Sequence, residues 1–286
     1  MARILIVGCG DIALRAAPLL NKHHRLFGLA RNRARHDVLR QAGITPIPGD
    51  LDDARSLHRL TGLAHIVLHF APPPGTGSLD TRTRNLLAAL SHGAPPRHLI
   101  YISTSGVYGD CAGAVVEETR PLNPQTPRAK LRADAECQIR DWAARNGASA
   151  CILRVPGIYA SDRLPLERLR AGTVAIAHEE DSYTNHIHAD DLARIVLAAL
   201  RHAKPNRAYH TSDNSNLKMG EYFDAVAEAF GLPRPPRLPR TEVQRAVSPA
   251  LWSFMNESRR MTNARMKKEL KIALRYPTVE EALKPA

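Results

Sequence analysis

Cysteine and aromatic residues are scarce in this sequence of 286 residues, and it contains no long hydrophobic run. The four cysteines, Cys9, Cys111, Cys137 and Cys151, form no C-x-x-C pair, so we expect reduced thiols and neither a zinc site nor a disulfide framework. No apolar run reaches the roughly 18 residues that a membrane-spanning helix needs, and the first apolar stretch is too short for a signal peptide. We therefore expect a cytoplasmic protein that does not associate with membranes.

Acidic residues are also few relative to basic ones, 28 against 40, which gives a net charge of +12. A basic surface attracts polyanions, so nucleic acid is one partner to consider. However, the arginines are spread along the whole chain, there is no nucleic-acid motif, and only 5% of the residues are aromatic and could stack on bases. We expect no nucleic-acid partner, and we assign the charge to a small anionic ligand.

What the sequence does contain is a regular alternation of short apolar runs and amphipathic stretches. Runs of this kind indicate strands buried on both faces of a parallel sheet, and the stretches between them are long enough to be crossover helices. The pattern predicts an α/β fold with a Rossmann-type, doubly wound parallel sheet. The predicted strands are 3–7, 24–30, 44–48, 65–71, 98–104 and 150–155, and the main predicted helices are 12–21, 82–91 and 130–146.

A glycine-rich turn lies between the first predicted strand and helix, in the segment ARILIVGCGDIALRAAPLL. Gly8, Gly10 and Ala13 form a G-x-G-x-x-A pattern, in which the first glycine permits the tight turn and the second lets the backbone approach a pyrophosphate. The alanine allows close packing of helix and strand, and the start of the helix, including Asp11 and Ile12, offers free amides to an anion. The pattern in this position predicts a dinucleotide site.

The end of the second predicted strand bears on the choice of cofactor. NAD-binding proteins place an acid there to bind the ribose hydroxyls, whereas this chain has Arg31, followed by Arg33. An arginine can pair with the 2′-phosphate that an acid would repel, so the sequence favours NADP over NAD. A solvated basic loop is the alternative.

The next two strand ends supply further candidates for the cofactor site. Asp50 and Leu51 follow the third strand, where the chain can flank an adenine. Ala71, Pro72 and Pro73 follow the fourth strand and could form a rigid wall beside the cofactor, although a proline loop can equally be a plain connection.

The alternation changes after residue 155. We predict a short helix at 164–171, a longer helix at 190–201, a strand at 207–211, a basic helix at 257–270 and a last helix at 278–283. The segment GLPRPPRLPR at 231–240 cannot be a regular helix because its prolines lack amide donors. We therefore predict a NAD(P)-binding Rossmann domain at 1–155, completed by about 184–215, and a smaller substrate lobe from 156–183 and 216–286.

Three further segments carry a family resemblance: ISTSGVYGD at 102–110, LRVPGIYA at 153–160 and NHIHADDLARI at 185–195. With the glycine turn, they resemble the extended short-chain dehydrogenase/reductases, the NAD(P)-dependent epimerase/dehydratase family. The C-terminal segment from 253 to 283 further resembles an atypical, YeeZ-type subgroup of that family. The resemblance implies a Rossmann-fold, NAD(P)-binding protein and leaves its substrate open.

The resemblance also implies a set of catalytic residues, and one of them is missing. Family members use a serine or threonine, which corresponds to Thr104 here, and a tyrosine four residues before a lysine that lowers its pKa and binds the nicotinamide ribose. Lys130 fits the lysine, but Thr126 stands where the tyrosine is expected. An unactivated hydroxyl is a poor general acid near neutral pH. Either the chemistry is lost, Tyr159 or Tyr108 replaces the tyrosine, or another group donates the proton.

The residues expected to meet the substrate lie after the sixth strand and in the C-terminal third. Paired arginines there suit a carboxylate or phosphate, although they could equally cap a helix or bridge the lobes. The candidates are Tyr159, Arg163, Asn185, His186, Ser258, Arg259, Arg260 and Asn263.

Two histidines, His186 and His188, are one residue apart and would lie on one face of a strand. No further ligand completes a metal set, so we predict no metal site. We instead expect Asp190 and Asp191 to cap the helix that follows.

Two hypotheses follow. The first is an NADP-dependent oxidoreductase or epimerase-like enzyme that acts on a small polar or anionic substrate by hydride transfer. The second is a non-catalytic NADP-binding protein that reports redox state to a partner. The resemblance implies a possible homodimer through the helices at 82–91 and 130–146.

Overall fold

The computed structural model describes residues 1–284, and most of its strands run parallel to their neighbours. Five of the six strands that we predicted from apolar runs have the predicted ends or differ by one residue, but the fourth strand is shorter than the predicted 65–71. The strands are β1 (Ala2–Val7), β2 (His24–Ala30), β3 (Ile44–Pro48), β4 (Ile66–His69), β5 (His98–Thr104), β6 (Val115–Val116), β7 (Ser149–Val155), β8 (Gly157–Tyr159), β9 (Ala175–Ile176), β10 (His186–His188), β11 (Arg207–His210), β12 (Arg237–Leu238) and β13 (Arg260–Met261).

Seven strands form the central sheet, in the order β11-β7-β5-β4-β1-β2-β3. Every neighbouring pair in it is parallel. The chain moves outward from β1 to β2 and β3 on one side, then returns to β4 on the other side of β1. This reversal makes the carboxyl ends of β1 and β4 the switch point, where open α/β sheets bind ligands. The predicted fold class is confirmed.

Both faces of the sheet are covered by helices. Along β1, Ile4 and Ile6 point into one core and Leu5 and Val7 into the other, because successive side chains of a strand alternate between faces. All four side chains are fully buried, which explains the uninterrupted apolar run in the sequence. The helices are α1 (Asp11–Leu20), α2 (His36–Gln41), α3 (Thr81–Ser91), α4 (Pro127–Asn146), α5 (Leu166–Arg170), α6 (Ala189–His202), α7 (Met219–Ala229), α8 (Arg240–Ala246), α9 (Pro249–Met255), α10 (Ala264–Leu270) and α11 (Val279–Leu283).

The long helix α4 has clear start and stop signals. The Thr126 side chain accepts a hydrogen bond from the amide of Ala129, Pro127 occupies the first helical position, and Gly147 ends the helix in the left-handed conformation with φ 60°. The structure therefore fixes the predicted Lys130 on the first turn of this helix.

The remaining strands pair outside the central sheet, as β10 with β8, β12 with β9 and β13 with β6. A third hydrophobic cluster, made by residues between Tyr159 and Val279, joins α5, α7, α8, α9 and α11. Within residues 1–284, no helix has both the length and the apolar character that a membrane crossing requires. The predicted division into a Rossmann domain and a substrate lobe stays a prediction.

The predicted helix at 257–270 is wrong over its first half. Arg260 and Met261 are extended and pair with β6, where the amide of Arg260 donates to the carbonyl of Ala114 at 3.0 Å and that of Thr262 donates to Val116 at 3.1 Å. Only Ala264–Leu270 is helical. Pairing with a distant strand has overridden the local helical pattern, as tertiary context often does.

Candidate cofactor and active site

The turn after β1 lies at the switch point, against the segment that follows β4. Gly8 has a φ of +94°, and a Cβ there would stand 2.3 Å from the amide nitrogen of Ala71. The amides of Phe70 and Ala71 both donate to the carbonyl of Val7, at 2.7 and 3.0 Å. Only glycine fits this position, because a side chain would meet both strain and backbone.

Gly10 and the residues after it present an open helix terminus. Gly10 precedes α1 in an extended conformation, and no atom lies within 4 Å of where its Cβ would be. Within residues 1–284, no hydrogen bond is formed by the backbone amides of Asp11, Ile12 or Ala13, while the side chain of Ala13 is fully buried against the sheet. Free amides at the positive end of a helix, beside open space, fit the pyrophosphate of a dinucleotide.

The carboxylate of Asp11 stands at this helix terminus and is held by two arginines. Arg15 Nε and Arg163 Nη1 each donate to it at 2.8 Å. Burial alone would raise the pKa of Asp11, but these hydrogen bonds lower it below its usual value, so the group stays ionised. Arg15 also binds Asp162 and Asp190. The structure thus places Arg163, a predicted substrate residue, at the start of α1.

The segment after β2 presents Arg31 to solvent. Its side chain is 70% exposed, and its Nε lies 3.9 Å from the carboxylate of Asp50 after β3. Arg33 is exposed on a short 3-10 helix, and Arg35, which sequence reasoning missed, donates to the carbonyl of Cys9 at 3.3 Å. The basic loop therefore stands next to the glycine turn, and the Arg31 side chain is largely exposed there.

The loops after β3 and β4 are joined by Arg82, a second residue that sequence reasoning missed. Its guanidinium binds both carboxylate oxygens of Asp52, at 2.8 and 2.6 Å, and donates to the carbonyls of Pro72 and Pro73, at 3.4 and 3.2 Å. Leu51 is buried behind this pair. The predicted proline wall is thus fixed in place by an ion pair.

Beneath the same wall lies Arg132, which is buried on α4. It donates to the carbonyls of Ala71 and Ile102, at 3.3 and 2.7 Å, and to the hydroxyl of Tyr101 at 3.0 Å. A signal for it exists in the sequence, since Ala129, Arg132 and Glu136 recur at helical spacing on the buried face of α4.

Three of the predicted catalytic residues lie at the end of β5 and the start of α4. Thr104 accepts a hydrogen bond from the amide of Gly106 at 3.3 Å, and a Cβ on Gly106 would stand 3.6 Å from both Thr104 and Ala129. The Thr126 oxygen is used to cap α4, and Lys130 is exposed one turn later. No hydrogen bond or ion pair of the Lys130 side chain occurs within the described chain.

The two tyrosines that could replace the missing one are both buried, and both form hydrogen bonds within the protein. The Tyr108 hydroxyl bonds to Nε2 of His210 at 2.6 Å and accepts from Arg154, and burial raises the pKa of Tyr108 to about 12. Tyr159 is 2% exposed and donates to the carbonyl of Thr278 at 3.3 Å, and burial raises its pKa further. Neither side chain has the access to a substrate that a general acid needs.

The C-terminal candidates hold the chain together across long sequence distances. The side chain of Asn185 donates through Nδ2 to the carbonyl of Arg259 at 2.9 Å and accepts through Oδ1 from the backbone amide of Met261 at 2.8 Å. The Ser258 hydroxyl accepts from the amide of Tyr183 at 3.0 Å. These contacts join segments that are distant in sequence, and a substrate role for Asn185 or Ser258 stays a prediction.

The two arginines and Asn263 are engaged in the same way. Arg259 is 9% exposed and donates to the carbonyl of Gly109 at 2.7 Å, while Arg260 donates to that of Gly113 at 2.8 Å. Asn263 donates to the carbonyls of Ser212 and Asp213, both at 2.9 Å. These side chains join the C-terminal segment to the loops that follow β5 and β11.

The histidine pair on β10 has two separate roles. His186 stacks on Tyr222 with ring centroids 4.1 Å apart, whereas His188 accepts from the amide of Asp190 at 3.2 Å and thereby caps α6. The expectation that the two aspartates are the caps is corrected accordingly. Asp191 is fully buried, and its carboxylate accepts from the amides of residues 275 and 276.

The geometry therefore joins a glycine turn, an open helix terminus and a switch point. The family model described as "NAD dependent epimerase/dehydratase family" matches residues 13–211, more than half of the chain. The chain belongs to this family. The resemblance seen in the sequence is confirmed.

Two curated relatives show how far the similarity of this epimerase-family protein extends. Protein YeeZ from Escherichia coli (strain K12) is 30% identical over 246 residues, which are 82% of this chain and 86% of YeeZ. The dTDP-D-glucose 4,6-dehydratase of Homo sapiens is 25% identical over 193 residues, or 60% of this chain. The chain spans 55% of the length of that dehydratase.

Solved structures resemble the fold over almost its whole length. A functionally unknown conserved protein from Silicibacter pomeroyi has a TM-score of 0.80 at 28% identity, covering 99% of this chain and 97% of its own. The UDP-glucuronic acid 4-epimerase from Bacillus cereus, solved in complex with NAD, has a TM-score of 0.75 at 18% identity, with 98% and 95% coverage. The second likeness concerns the fold alone.

The region around β8 and β10 of this epimerase-family protein contains a buried carboxyl group, that of Asp213. Asp213 is 4% exposed and accepts from the amide of Ser215 at 2.9 Å, and burial raises its pKa from 3.8 to about 7. The folded protein therefore holds this proton more tightly than the unfolded chain does. Stability contributed by the protonated group is present below pH 4 and declines as the pH rises to about 7.

We expect Asp213→Asn to remove this pH dependence. The amide carries no charge to bury, so the variant should be more stable than the wild type by about 1–3 kcal/mol at pH 8 and nearly equal to it at pH 4. Urea unfolding across that pH range measures the difference. Asp141→Asn, at an exposed position on α4, is the matched control and should follow the wild type. Equal stability of Asp213→Asn and the wild type at pH 8 would contradict the expectation.

Proposed function

We propose that this epimerase-family protein binds NADP at the turn from Gly8 to Gly10 and acts as an NADP-dependent oxidoreductase or epimerase-like enzyme. The observation that supports the proposal is the open N-terminus of α1 at the switch point. The backbone amides of residues 11–13 form no hydrogen bond within residues 1–284, and the space beside Gly10 is open. Bound there, the cofactor would supply hydride transfer. The residues of this chain would hold and orient it.

The other cofactor contacts follow from the loops that surround the turn. Arg31 and Arg33 would face the 2′-phosphate, and Asp50 with Leu51 would flank the adenine. Ala71, Pro72 and Pro73 would form the wall on the β4 side, fixed by Arg82. Lys130, exposed on the first turn of α4, would bind the nicotinamide ribose.

We infer that the substrate is a small polar or anionic molecule. Relatives named above act, by their names, on dTDP-D-glucose and UDP-glucuronic acid, and sugar nucleotides of that kind belong to this class. Thr104, next to the start of α4, is the hydroxyl best placed to bind such a substrate. We place the enzyme in the cytoplasm and propose a homodimer through α3 and α4, which light scattering would test.

The choice of NADP can be tested at Arg31. Arg31→Asp should weaken NADPH binding by about 30-fold, because it removes a guanidinium–phosphate pair worth about 2 kcal/mol and adds a repelling charge. NADH binding should be unchanged or tighter. Fluorescence titration of the two nucleotides measures both affinities.

A control arginine lies nearby at Arg59, which is exposed on the 3-10 helix of residues 54–60. Arg59→Asp changes the net charge equally and should alter neither affinity. Equal losses for NADPH and NADH in Arg31→Asp would show that Arg31 does not select the phosphate.

Catalysis itself is tested by turnover. Purified protein is incubated with NADPH and a panel of aldehydes, ketones, imines and sugar nucleotides while nicotinamide absorbance is followed. We expect oxidation of NADPH with at least one member. Lys130→Ala should lower that rate, whereas Lys268→Ala, at an exposed position on α10, should not.

A second function is favoured by one observation: the position of the family's tyrosine holds Thr126, whose oxygen caps α4. On this reading the protein binds NADP without turnover and reports its redox state to a partner. Tight NADPH binding without turnover, and no gain in rate in Thr126→Tyr, would support it. Turnover of any panel member by the wild type would exclude it.

A further inference from the structure

A cleft that contains none of the residues of the glycine turn lies between α1 and α6, beside the segment that follows α10. Its volume is about 390 Å³, within the range of small-molecule sites. Leu19, Leu197 and Ile272 line its apolar part and are all partly exposed. None of the loops at the carboxyl edge of the sheet contributes to it.

The polar lining of this cleft is strongly cationic. It comprises four arginines and a lysine against one carboxylate, that of Asp190. Arg15 and Arg194 are paired with aspartates. The side chains of Arg201, Lys271 and Arg275 make no ion pair within residues 1–284. The cleft thus holds three exposed cations that form no ion pair within the described chain.

The backbone at Lys271 turns sharply where this residue lines the cleft. This residue ends α10 in the left-handed conformation, with φ 54° and ψ 42°. Glycine or asparagine is preferred at such a position, and a lysine there costs about 1 kcal/mol. Lys271 lines the cleft, so this conformation helps to set where its ammonium group lies.

We propose that this cleft binds a small organic anion, a phosphate or carboxylate carried on an apolar body. The anionic group would pair with Lys271, Arg201 and Arg275, and the apolar body would lie on Leu19, Leu197 and Ile272. The site is separate from the dinucleotide turn and does not depend on the proposed function. It shares Arg15 with the ion pairs at the start of α1, so its ligand can influence that helix.

Phenyl phosphate is the probe, with inorganic phosphate and phenol as its two halves. Isothermal titration calorimetry is run with and without saturating NADPH, to separate this cleft from the dinucleotide turn. We expect phenyl phosphate to bind under both conditions, and each half to bind on the order of tenfold more weakly, because each lacks one part of the contact.

Variants assign the binding to the cleft. Lys271→Gly and Arg201→Ala should each weaken phenyl phosphate binding about fivefold, the effect of one charge-assisted contact. Lys271→Gly suits its backbone conformation and should fold at least as well as the wild type. Lys268→Ala removes the same charge from an exposed position of α10 outside the cleft and should bind normally.

Three results would overturn the proposal: no binding of phenyl phosphate, complete displacement by NADPH, or equal affinities in Lys271→Gly, Arg201→Ala and Lys268→Ala. Thermal denaturation of each variant confirms that an altered affinity does not reflect unfolding.

Discussion

Gly10→Ala should weaken NADPH binding on the order of 100-fold while leaving the melting temperature unchanged. The added methyl group would meet no protein atom within 4 Å, and the φ of −89° at this position suits alanine. It would, however, occupy the space through which the pyrophosphate approaches the free amides of α1. Losing two charge-assisted hydrogen bonds of about 1.5 kcal/mol each accounts for the expected factor.

Gly8→Ala is the informative contrast. Its Cβ would lie 2.3 Å from the amide nitrogen of Ala71 at a φ of +94°, so this variant should lose stability as well as binding. Titration of NADPH and thermal denaturation of both variants separate the two roles. If Gly10→Ala bound NADPH as the wild type does, the pyrophosphate would not lie on this turn.

Glu136→Gln should lower the free energy of unfolding by about 3–5 kcal/mol, the usual cost of leaving one partner of a buried ion pair without the other. The Glu136 and Arg154 side chains are 2% and 5% exposed and meet at 2.8 Å. Ser103 also donates to Glu136 at 2.6 Å. The substitution keeps the shape of the side chain but leaves the Arg154 guanidinium buried without a counter-charge.

Urea unfolding at neutral pH measures this loss. Glu117→Gln makes the same change at an exposed glutamate and is the control. It should change the free energy of unfolding by less than about 0.5 kcal/mol. Similar stabilities of the two variants would show that the Arg154–Glu136 pair is not needed to keep the network of Ser103, Tyr108 and Arg154 folded.

The network around Glu136 also shows a limit of sequence reasoning. Glu136 and Arg132 lie on the buried face of a helix whose outline the sequence predicts, but their partners lie on two strands of the sheet, 18 and 31 residues away in sequence. A polar residue at a core-facing position predicts that a partner exists. It does not identify that partner, because the pairing depends on how α4 lies on the sheet.

The same holds for the C-terminal candidates. Paired arginines at 259 and 260 are compatible with a ligand site, a helix cap or a bridge, and all three use the same guanidinium chemistry. The contacts of Arg259 with Gly109 and of Arg260 with Gly113 form a bridge, and a ligand role for either arginine stays a prediction. Those contacts depend on the pairing of residues 260–261 with β6, and no local sequence pattern predicts this pairing.

The glycine turn and the central strands were determined by the sequence itself, and the cofactor contacts that we propose were predicted from it. Strands buried on both faces must be apolar throughout, and a turn that approaches both a neighbouring strand and an anion must contain glycine. Both features can therefore be recognised in a short stretch of sequence. Tertiary structure alone decided that Tyr108 and Tyr159 are buried, that Arg82 fixes the proline wall, and that a basic cleft forms between α1 and α6. These features join residues distant in sequence, and their energies depend on burial and distance, which only the folded chain sets.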